Sequence, residues 1–114
     1  MPEDCVFCRI AAGTLPAKKL LDAPDLVAFH DLNPQAKTHV LIIPRAHYES
    51  VLELPAGSPV MSRLAEAACH IARQGGLAEG GFRLVANTGP DGGQTVGHLH
   101  LHLLGGRQMT WPPG

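Results

Sequence analysis

Three histidines at alternate positions are the side chains of this 114-residue sequence with the clearest capacity for chemistry. They are His98, His100 and His102, in the stretch GHLHLHLLGG. Because imidazole titrates near neutral pH, such a side chain can act as a nucleophile, a general base or a proton donor. Alternate side chains share one face of a β-strand. A strand here would therefore align the three imidazoles and direct the intervening leucines into a core.

The spacing of the three rings limits how they can share a bound group. Neighbouring histidines on a strand lie roughly 6–7 Å apart, and the outer pair about 13 Å apart. One phosphate or one metal ion therefore cannot contact all three equally, and His100 is the most central. The alternative is a polar, solvent-facing strand that happens to contain histidine, but the strict alternation of three favours a functional site.

A glycine-rich loop, DGGQT, comes shortly before the histidines. Gly92 and Gly93 would let backbone N–H groups approach an anion closely, while Gln94 and Thr95 would add uncharged donors. An ordinary turn between two strands is the alternative. Its position next to three histidines makes the loop a candidate phosphate site.

The composition is that of one globular domain spanning residues 1–114, with 45% hydrophobic and 17% charged residues. A formal net charge of -1 gives no support for a polybasic binder of nucleic acid or membranes. No apolar stretch approaches the ~20 residues that cross a bilayer, and the N-terminus lacks the features of a signal peptide. We therefore expect a cytoplasmic protein that binds neither nucleic acid nor membranes.

Hydrophobic periodicity and turn residues predict an α+β domain with a largely antiparallel sheet. The β-branched, apolar stretch THVLII is typical of a strand, and Pro44 ends it. Ser58 and Pro59 suit the start of the main helix, and Gly13 suits the end of a shorter one. The predicted elements are a helix over 6–12, strands over 18–21, 26–30 and 38–43, a helix over 59–74, and strands over 82–86 and 98–103.

Beyond the histidines themselves, long stretches of the chain resemble one known family. The pattern His98-Leu-His100-Leu-His102-Leu-Leu resembles the signature of the histidine triad (HIT) superfamily. HDLNPQAKTHVLIIPRAH and NTGPDGGQTVGHLHLHLLGGRQMTWPPG resemble its Hint branch, the nucleotide-binding proteins. The resemblance implies a HIT-like fold, an antiparallel five-stranded meander sheet with one long helix and a short N-terminal helix, continued across a homodimer.

The resemblance also implies an activity, the hydrolysis of purine nucleoside 5′-phosphoramidates to a nucleoside monophosphate, such as AMP or GMP, and an amine. His100 would be the nucleophile that forms a nucleotidyl-histidine intermediate, with no cofactor needed for catalysis. His102, paired with His39, and Thr95 would support it. Threonine stands at position 95 where Hint proteins usually carry serine, from which we expect an altered leaving-group preference.

Four other functions remain open. A sister branch of the superfamily implies a diadenosine polyphosphate hydrolase or a nucleotidyl transferase. The third alternative is a nucleotide-binding scaffold protein, and the fourth a zinc hydrolase that uses the triad as metal ligands. The C-terminal sequence GGRQMTWPPG favours the Hint branch.

The matching nucleotide site includes residues that also have simpler explanations. Asp31 could be a turn aspartate, His39 a satisfied strand histidine, and Trp111 a packing residue at the dimer interface. In the family the last of these reaches toward the partner subunit's site. The positions implied to bind nucleotide are Asp31 and Leu32 at the ribose, Phe7, Ile10, Phe29 and Leu41 at the purine, and Asn87, Gly93, Gln94, Thr95, His100 and His102 at the phosphate, with Trp111.

The sequence departs from the closest Hint relatives in the pair Cys5-Val-Phe-Cys8. Three cysteines in a chain without a secretion signal argue against a disulfide framework. In other bacterial branches of the superfamily this pair joins two histidines, here His47 and His98, on a structural zinc, and two thiolates with two imidazoles make a closed tetrahedral site. Empty thiols remain an alternative, as does a redox motif, although no βαβ pattern surrounds the pair. With zinc bound, His98 would be structural.

Overall fold

A computed structural model describes residues 4–114, which form one five-stranded sheet with a helix on each face. No helix among these residues has the length and apolar character to cross a membrane. The elements are α1 (Val6–Ala12), β1 (Lys19–Asp22), β2 (Leu26–His30), β3 (Thr38–Pro44), a 3₁₀ turn (Val51–Glu53), α2 (Val60–Gln74), β4 (Phe82–Val85) and β5 (Leu101–Gly105).

The strands lie in the order β1-β2-β3-β5-β4, and every neighbouring pair is antiparallel. The first three strands form a meander. The chain then crosses through α2, and β5 lies between β3 and β4. The predicted α+β class, the five antiparallel strands and the two helices are confirmed.

The two faces of the sheet are buried by different helices. On one face, α2 packs Leu64 and Ala68 against Val40 and Ile42 in the larger core. On the other face, α1 packs against a smaller core centred on Leu41 and its neighbours. Since burial of a large aliphatic side chain contributes about 1.5–3 kcal/mol, both cores fix the position of β3, which faces both. The smaller core holds Phe7, Ile10, Ala11, Val27, Phe29, Leu41 and Ile43.

The end of α1 and the start of α2 each have a physical cause in the residues at that position. Gly13 ends α1 at a backbone φ of 81°, in the left-handed region that favours glycine. The second helix begins at Val60, one residue later than predicted, because Pro59 lies at its N-cap position. Ser58, one residue before the N-cap, still satisfies an N–H of the first turn, since its Oγ accepts a hydrogen bond from the Val60 N–H at 3.2 Å.

The histidine stretch is extended, but only its second half pairs as a strand. The ladder begins at Leu101, and not at His98 as predicted, because the Leu99 N–H donates to the Tyr48 carbonyl at 2.6 Å, outside the sheet. The alternation nevertheless continues through the whole stretch. The three intervening leucines all lie in the α2 core, and the three histidines face α1.

Candidate nucleotide site and metal centre

A cavity of about 360 Å³ opens on the α1 face of the sheet, beside the histidines. Its walls are mainly apolar, with a smaller share of polar groups. It is lined by nine of the residues that the resemblance assigns to nucleotide binding, namely Phe7, Ile10, Phe29, Asp31, Leu32, Leu41, Thr95, His100 and His102.

His100 has the hydrogen-bonding pattern of a nucleophile. Its Nδ1 lies 2.7 Å from the carbonyl oxygen of His98, which can only accept a hydrogen bond. Nδ1 therefore carries the ring proton, and Nε2 keeps its lone pair. The ring is buried and lines the cavity wall.

His98 has the opposite tautomer, and its free nitrogen faces two cysteines. Its Nε2 donates to the Pro44 carbonyl at 2.9 Å, which leaves a lone pair on Nδ1. That Nδ1 lies 3.4 Å from the sulfur of Cys5 and 3.5 Å from the sulfur of Cys8. The side chain is 0% exposed, and this burial lowers its pKa, so the ring is held as a neutral ligand.

His47 completes a four-residue cluster in which the ligand atoms lie within 4.8 Å of one another. Its Nδ1 lies 3.2 Å from the Cys8 sulfur and 3.1 Å from the His98 Nδ1. Zinc bonds of ~2.0–2.3 Å separate the corners of a tetrahedron by about 3.3–3.8 Å. The separations and the Cys₂His₂ donor set therefore fit a closed zinc site.

The groups around the cluster have opposite effects on metal binding. The Nε2 of His47 lies 3.4 Å from the Glu49 carboxylate, which orients the ring and favours a lone pair on Nδ1. Burial and the adjacent Cys5 thiol raise the pKa of Cys8 to about 11. A bound cation would reverse this effect, because coordination favours the thiolate.

A second cluster of side chains connects His102 to His39 on β3 and to Asp31. The Nδ1 of His102 lies 2.9 Å from the Nε2 of His39, which in turn lies 3.4 Å from the Asp31 carboxylate. Burial, together with the neighbouring His100 and His39, lowers the pKa of His102 to about 4, and burial also lowers the pKa of His39. Both rings are therefore neutral at pH 7.

The three histidines thus belong to three different environments. His98 lies in the cysteine cluster and His102 in the group with His39 and Asp31. Neither of the two metal-compatible clusters found among residues 4–114 contains His100. A single metal ion held by the whole triad does not fit this arrangement.

Gln94 holds the glycine-rich loop in place through side-chain hydrogen bonds. Its amide oxygen accepts from the Gly89 N–H at 3.0 Å, and its amide nitrogen donates to the carbonyls of Glu49 and Val96 at 2.6 and 2.9 Å. These bonds use both ends of the amide, and Gln94 does not line the cavity. Asn87 bonds to the Gly92 carbonyl, and neither it nor Gly93 lines the cavity either. Of the loop residues expected at the phosphate, Thr95 alone does so.

Two predicted contact residues are highly exposed. Leu32 is 96% exposed at the rim of the cavity, and Trp111 is 81% exposed and outside it.

Sequence reasoning missed the segment between α1 and β1, which supplies part of the wall. Nothing in its pattern distinguishes it from a connecting loop, since its role depends on how α1 packs. The unpredicted lining residues are Val6, Leu15, Pro16, Ala17, Lys18, His30 and Val96.

Comparison with known proteins agrees with this geometry. A family model described as the HIT domain matches residues 12–109. The chain belongs to the HIT family. The crystal structure of a HIT family hydrolase from Legionella pneumophila is 46% identical, covers 97% of this chain and 100% of its own, and superimposes with a TM-score of 0.95.

Two curated relatives of this HIT protein carry informative names. The adenylylsulfatase HINT1 of Arabidopsis thaliana is 40% identical over 113 residues, which are 96% of this chain and 76% of that protein. A 14 kDa zinc-binding protein of Zea mays is 42% identical over 113 residues, 96% of this chain and 87% of its own. The Hint-like resemblance noted in the sequence is confirmed.

Proposed function

We propose that this HIT protein hydrolyses purine nucleoside 5′-phosphoramidates, with His100 as the nucleophile. The observation that carries the proposal is the hydrogen bond from His100 Nδ1 to the His98 carbonyl. With Nδ1 as the donor, it is Nε2 that can supply a lone pair, in the wall of a nucleotide-sized cavity.

The reaction takes place in two displacements at phosphorus. In the first, His100 Nε2 forms a bond to the phosphorus and the P–N bond of the substrate breaks. The electron pair goes to the leaving nitrogen, which takes a proton from water and departs as the amine. In the second, a water oxygen bonds to the phosphorus and loses a proton to the hydroxide left by the first step. The electron pair of the bond to His100 returns to Nε2, and AMP or another nucleoside monophosphate is released. No metal ion is needed for either displacement.

The His98 carbonyl stabilises the intermediate more than the ground state. When Nε2 bonds to phosphorus, the imidazole of His100 becomes cationic and its Nδ1–H becomes a stronger donor. The hydrogen bond of 2.7 Å therefore strengthens as the charge develops. The segment from 87 to 106 contains no lysine or arginine, so its donors to the phosphoryl group would be uncharged ones such as the Thr95 hydroxyl. Lys18, from outside this segment, also lines the cavity.

The cavity offers an apolar slot for the base. Phe7 and Ile10 reach it from α1, and Phe29 and Leu41 reach it from β2 and β3. Asp31 also lines the cavity, and its carboxylate could accept hydrogen bonds from ribose hydroxyls. Apolar side chains for the base together with His100 and His102 for the phosphate suit a purine nucleotide.

We assign a structural role to zinc in the Cys5, Cys8, His47 and His98 cluster. All four positions would be filled by protein, which leaves no open coordination site for a substrate. Bound there, the metal would join α1 to the sheet. A chelator should then reduce activity only through the fold.

Adenylyl sulfate is a second candidate substrate, because the Arabidopsis relative is named an adenylylsulfatase. Adenylyl sulfate presents the same phosphorus to His100, but its sulfate leaves without taking up a proton. The diadenosine polyphosphate hydrolase, the nucleotidyl transferase and the nucleotide-binding scaffold are the remaining alternatives.

The homodimer implied by the resemblance is also part of the proposal. β4 is an edge strand, so one side of its backbone is free to pair with a second copy. Trp111 would then reach the partner subunit. Sedimentation analysis should give twice the mass of the chain, and a monomer would contradict this.

The deciding experiment is AMP release from adenosine 5′-phosphoramidate by the wild type, by His100→Ala and by wild type with EDTA. We expect turnover to be lost in His100→Ala while AMP still binds. Turnover that survives in this variant would exclude His100 as the nucleophile. Adenylyl sulfate and a diadenosine polyphosphate, tested in parallel, identify the substrate if the phosphoramidate is not cleaved. Tight AMP binding with no turnover on any of them would favour the scaffold.

A further inference from the structure

The side chain of Arg45, directly after β3, contacts three groups from two other segments of the chain. Its Nη1 donates to the Ala11 carbonyl at 2.5 Å, and its Nε donates to the Ala23 carbonyl at 2.7 Å. Its Nη2 forms an ion pair with the Asp22 carboxylate. A guanidinium presents five N–H groups in a rigid planar fork, so this one side chain can hold all three acceptors in a fixed relative position.

The contact with Ala11 lies at the C-terminal end of α1. The last four carbonyls of a helix have no N–H partner within the helix, and Arg45 supplies one of them with a partner from another segment. Ala11 is itself buried in the smaller core, one helical turn after Phe7 on the same face of α1. Arg45 therefore fixes the last turn of α1 over the sheet.

The first turn of α1 is held by a different contact from the same segment. Two residues after Arg45, the Nδ1 of His47 lies 3.2 Å from the Cys8 sulfur, in the cluster that we assign to zinc. The chain that leaves β3 thus contacts α1 near both ends. Phe7 belongs to the first turn and Ile10 to the last, and both line the cavity.

We propose that Arg45 is a positioning residue for nucleotide binding, which holds the last turn of α1 so that Ile10 forms a preformed wall for the base. This rests on the proposed function. A wall that is already ordered in the free protein need not be ordered during binding, so the affinity is higher. His100 is oriented separately, by the carbonyl of His98. Arg45 should therefore act on nucleotide affinity and KM, and not on kcat.

The ion pair with Asp22 is the competing explanation for Arg45, since it could act through the stability of the turn between β1 and β2. The Asp22 side chain is 51% exposed, and exposed ion pairs are weak because water screens them. The backbone N–H of Arg45 also donates to the Asp25 carbonyl at 3.0 Å, a bond that a substituted side chain would leave in place. The two carbonyl contacts of the guanidinium should therefore carry the effect.

The test compares the wild type with Arg45→Met, Arg45→Lys and Asp22→Asn, all prepared in the presence of zinc. Methionine keeps much of the apolar stem and removes every N–H, whereas lysine keeps the charge and loses the planar fork. AMP affinity, measured by calorimetric titration, should fall about 10-fold in Arg45→Met, the size expected if one or two side chains must be ordered on binding. Arg45→Lys should recover part of this loss, and Asp22→Asn should stay within about 2-fold of wild type.

Arg63→Met is the matched control. Arg63 is also a partly exposed arginine with an ion pair to the turn between β1 and β2, at Asp25, but it lies on α2. Its replacement should leave AMP affinity unchanged. On the phosphoramidate, the KM of Arg45→Met should rise in step with its Kd for AMP while kcat is kept, the pattern of lost uniform binding. A fall in kcat with an unchanged KM would contradict the proposal.

Hydrogen exchange places the effect within α1 and needs no substrate. The Gly13 N–H donates to the Ile10 carbonyl at 3.1 Å in the last turn, and it should lose protection in Arg45→Met. The Arg9 N–H donates to the Cys5 carbonyl at 3.1 Å beside the cysteine cluster, and it should keep its wild-type protection. Faster exchange throughout the sheet would show a general loss of stability and overturn the proposal.

Three further outcomes would also overturn it. The first is wild-type AMP affinity in Arg45→Met, and the second is an equal loss in Arg63→Met. The third is a zinc content that falls in Arg45→Met, because Arg45 would then support the metal cluster and not the cavity wall. If the wild type bound AMP but cleaved no phosphoramidate, the proposed function would fail, while the AMP titrations and the exchange data would still decide the role of Arg45.

Discussion

The ring of Phe7 meets the ring of His100 edge-on, with 5.1 Å between the centroids and 87° between the planes. Phe7 lies between Cys5 and Cys8 in the sequence, and it also packs against Phe29 at 5.5 Å. The segment that supplies two of the proposed zinc ligands therefore also supplies a wall of the candidate nucleotide cavity. Metal binding and nucleotide binding should be linked through α1.

Replacement of Phe7 tests this wall directly. Phe7→Ala should destabilise the fold by about 3–5 kcal/mol, the range for deleting a buried phenylalanine, and should weaken AMP binding. Arg9→Ala, an exposed position on the same helix, is the matched control and should stay within about 0.5 kcal/mol of wild type. Urea unfolding and AMP titration measure both effects. AMP affinity equal to wild type in Phe7→Ala would show that α1 does not form part of the site.

Removal of the metal should loosen the same helix. Cys8→Ser should lose the proposed zinc and the stability that its binding adds, and Tm should fall by roughly 2–8 °C for each kcal/mol lost. AMP should bind more weakly to the metal-free protein, and zinc more tightly in the presence of AMP, because linkage is reciprocal. Cys69→Ser is the control, since this thiol lies on α2, away from the cluster. Metal analysis, thermal melts and AMP titration give the three readouts, and unchanged AMP affinity after zinc loss would contradict the linkage.

Much of this arrangement could be predicted from the sequence because it depends on local patterns. Gly13, the alternation of histidine and leucine, and the Cys-x-x-Cys spacing each reflect a local geometric requirement. The role of Gln94 could not be predicted, since its bond to the Glu49 carbonyl joins two segments that are 45 positions apart. The contribution of Lys18 and its neighbours to the cavity depends likewise on the packing of α1.

The low pKa of His102 predicts a loss of stability in acid. The unfolded chain takes up a proton near pH 6.5, but the folded protein does so only near pH 4. Between these values the unfolded state binds more protons, so the free energy of unfolding should fall as pH falls, by roughly 1.4 kcal/mol per pH unit for this group. His102→Gln removes the group and leaves the four proposed zinc ligands in place. Urea midpoints from pH 7 to 4 should therefore fall less steeply in the variant, and parallel curves would refute the assignment.

The last prediction concerns the turn of the glycine-rich loop. A Cβ on Gly92 would lie 2.3 Å from the Thr88 carbonyl oxygen, far closer than van der Waals contact, and the obstacle is backbone that cannot rotate away. Gly92→Ala should therefore displace the loop, destabilise the fold by about 1–3 kcal/mol and lower kcat, because Thr95 would no longer line the cavity. Gly80→Ala is the matched control, since no atom lies within 4 Å of its added Cβ. Thermal melts and phosphoramidate kinetics on the pair decide the point. If Gly92→Ala kept wild-type kcat, the loop's position would not matter to the chemistry, and Thr95 would have no catalytic part.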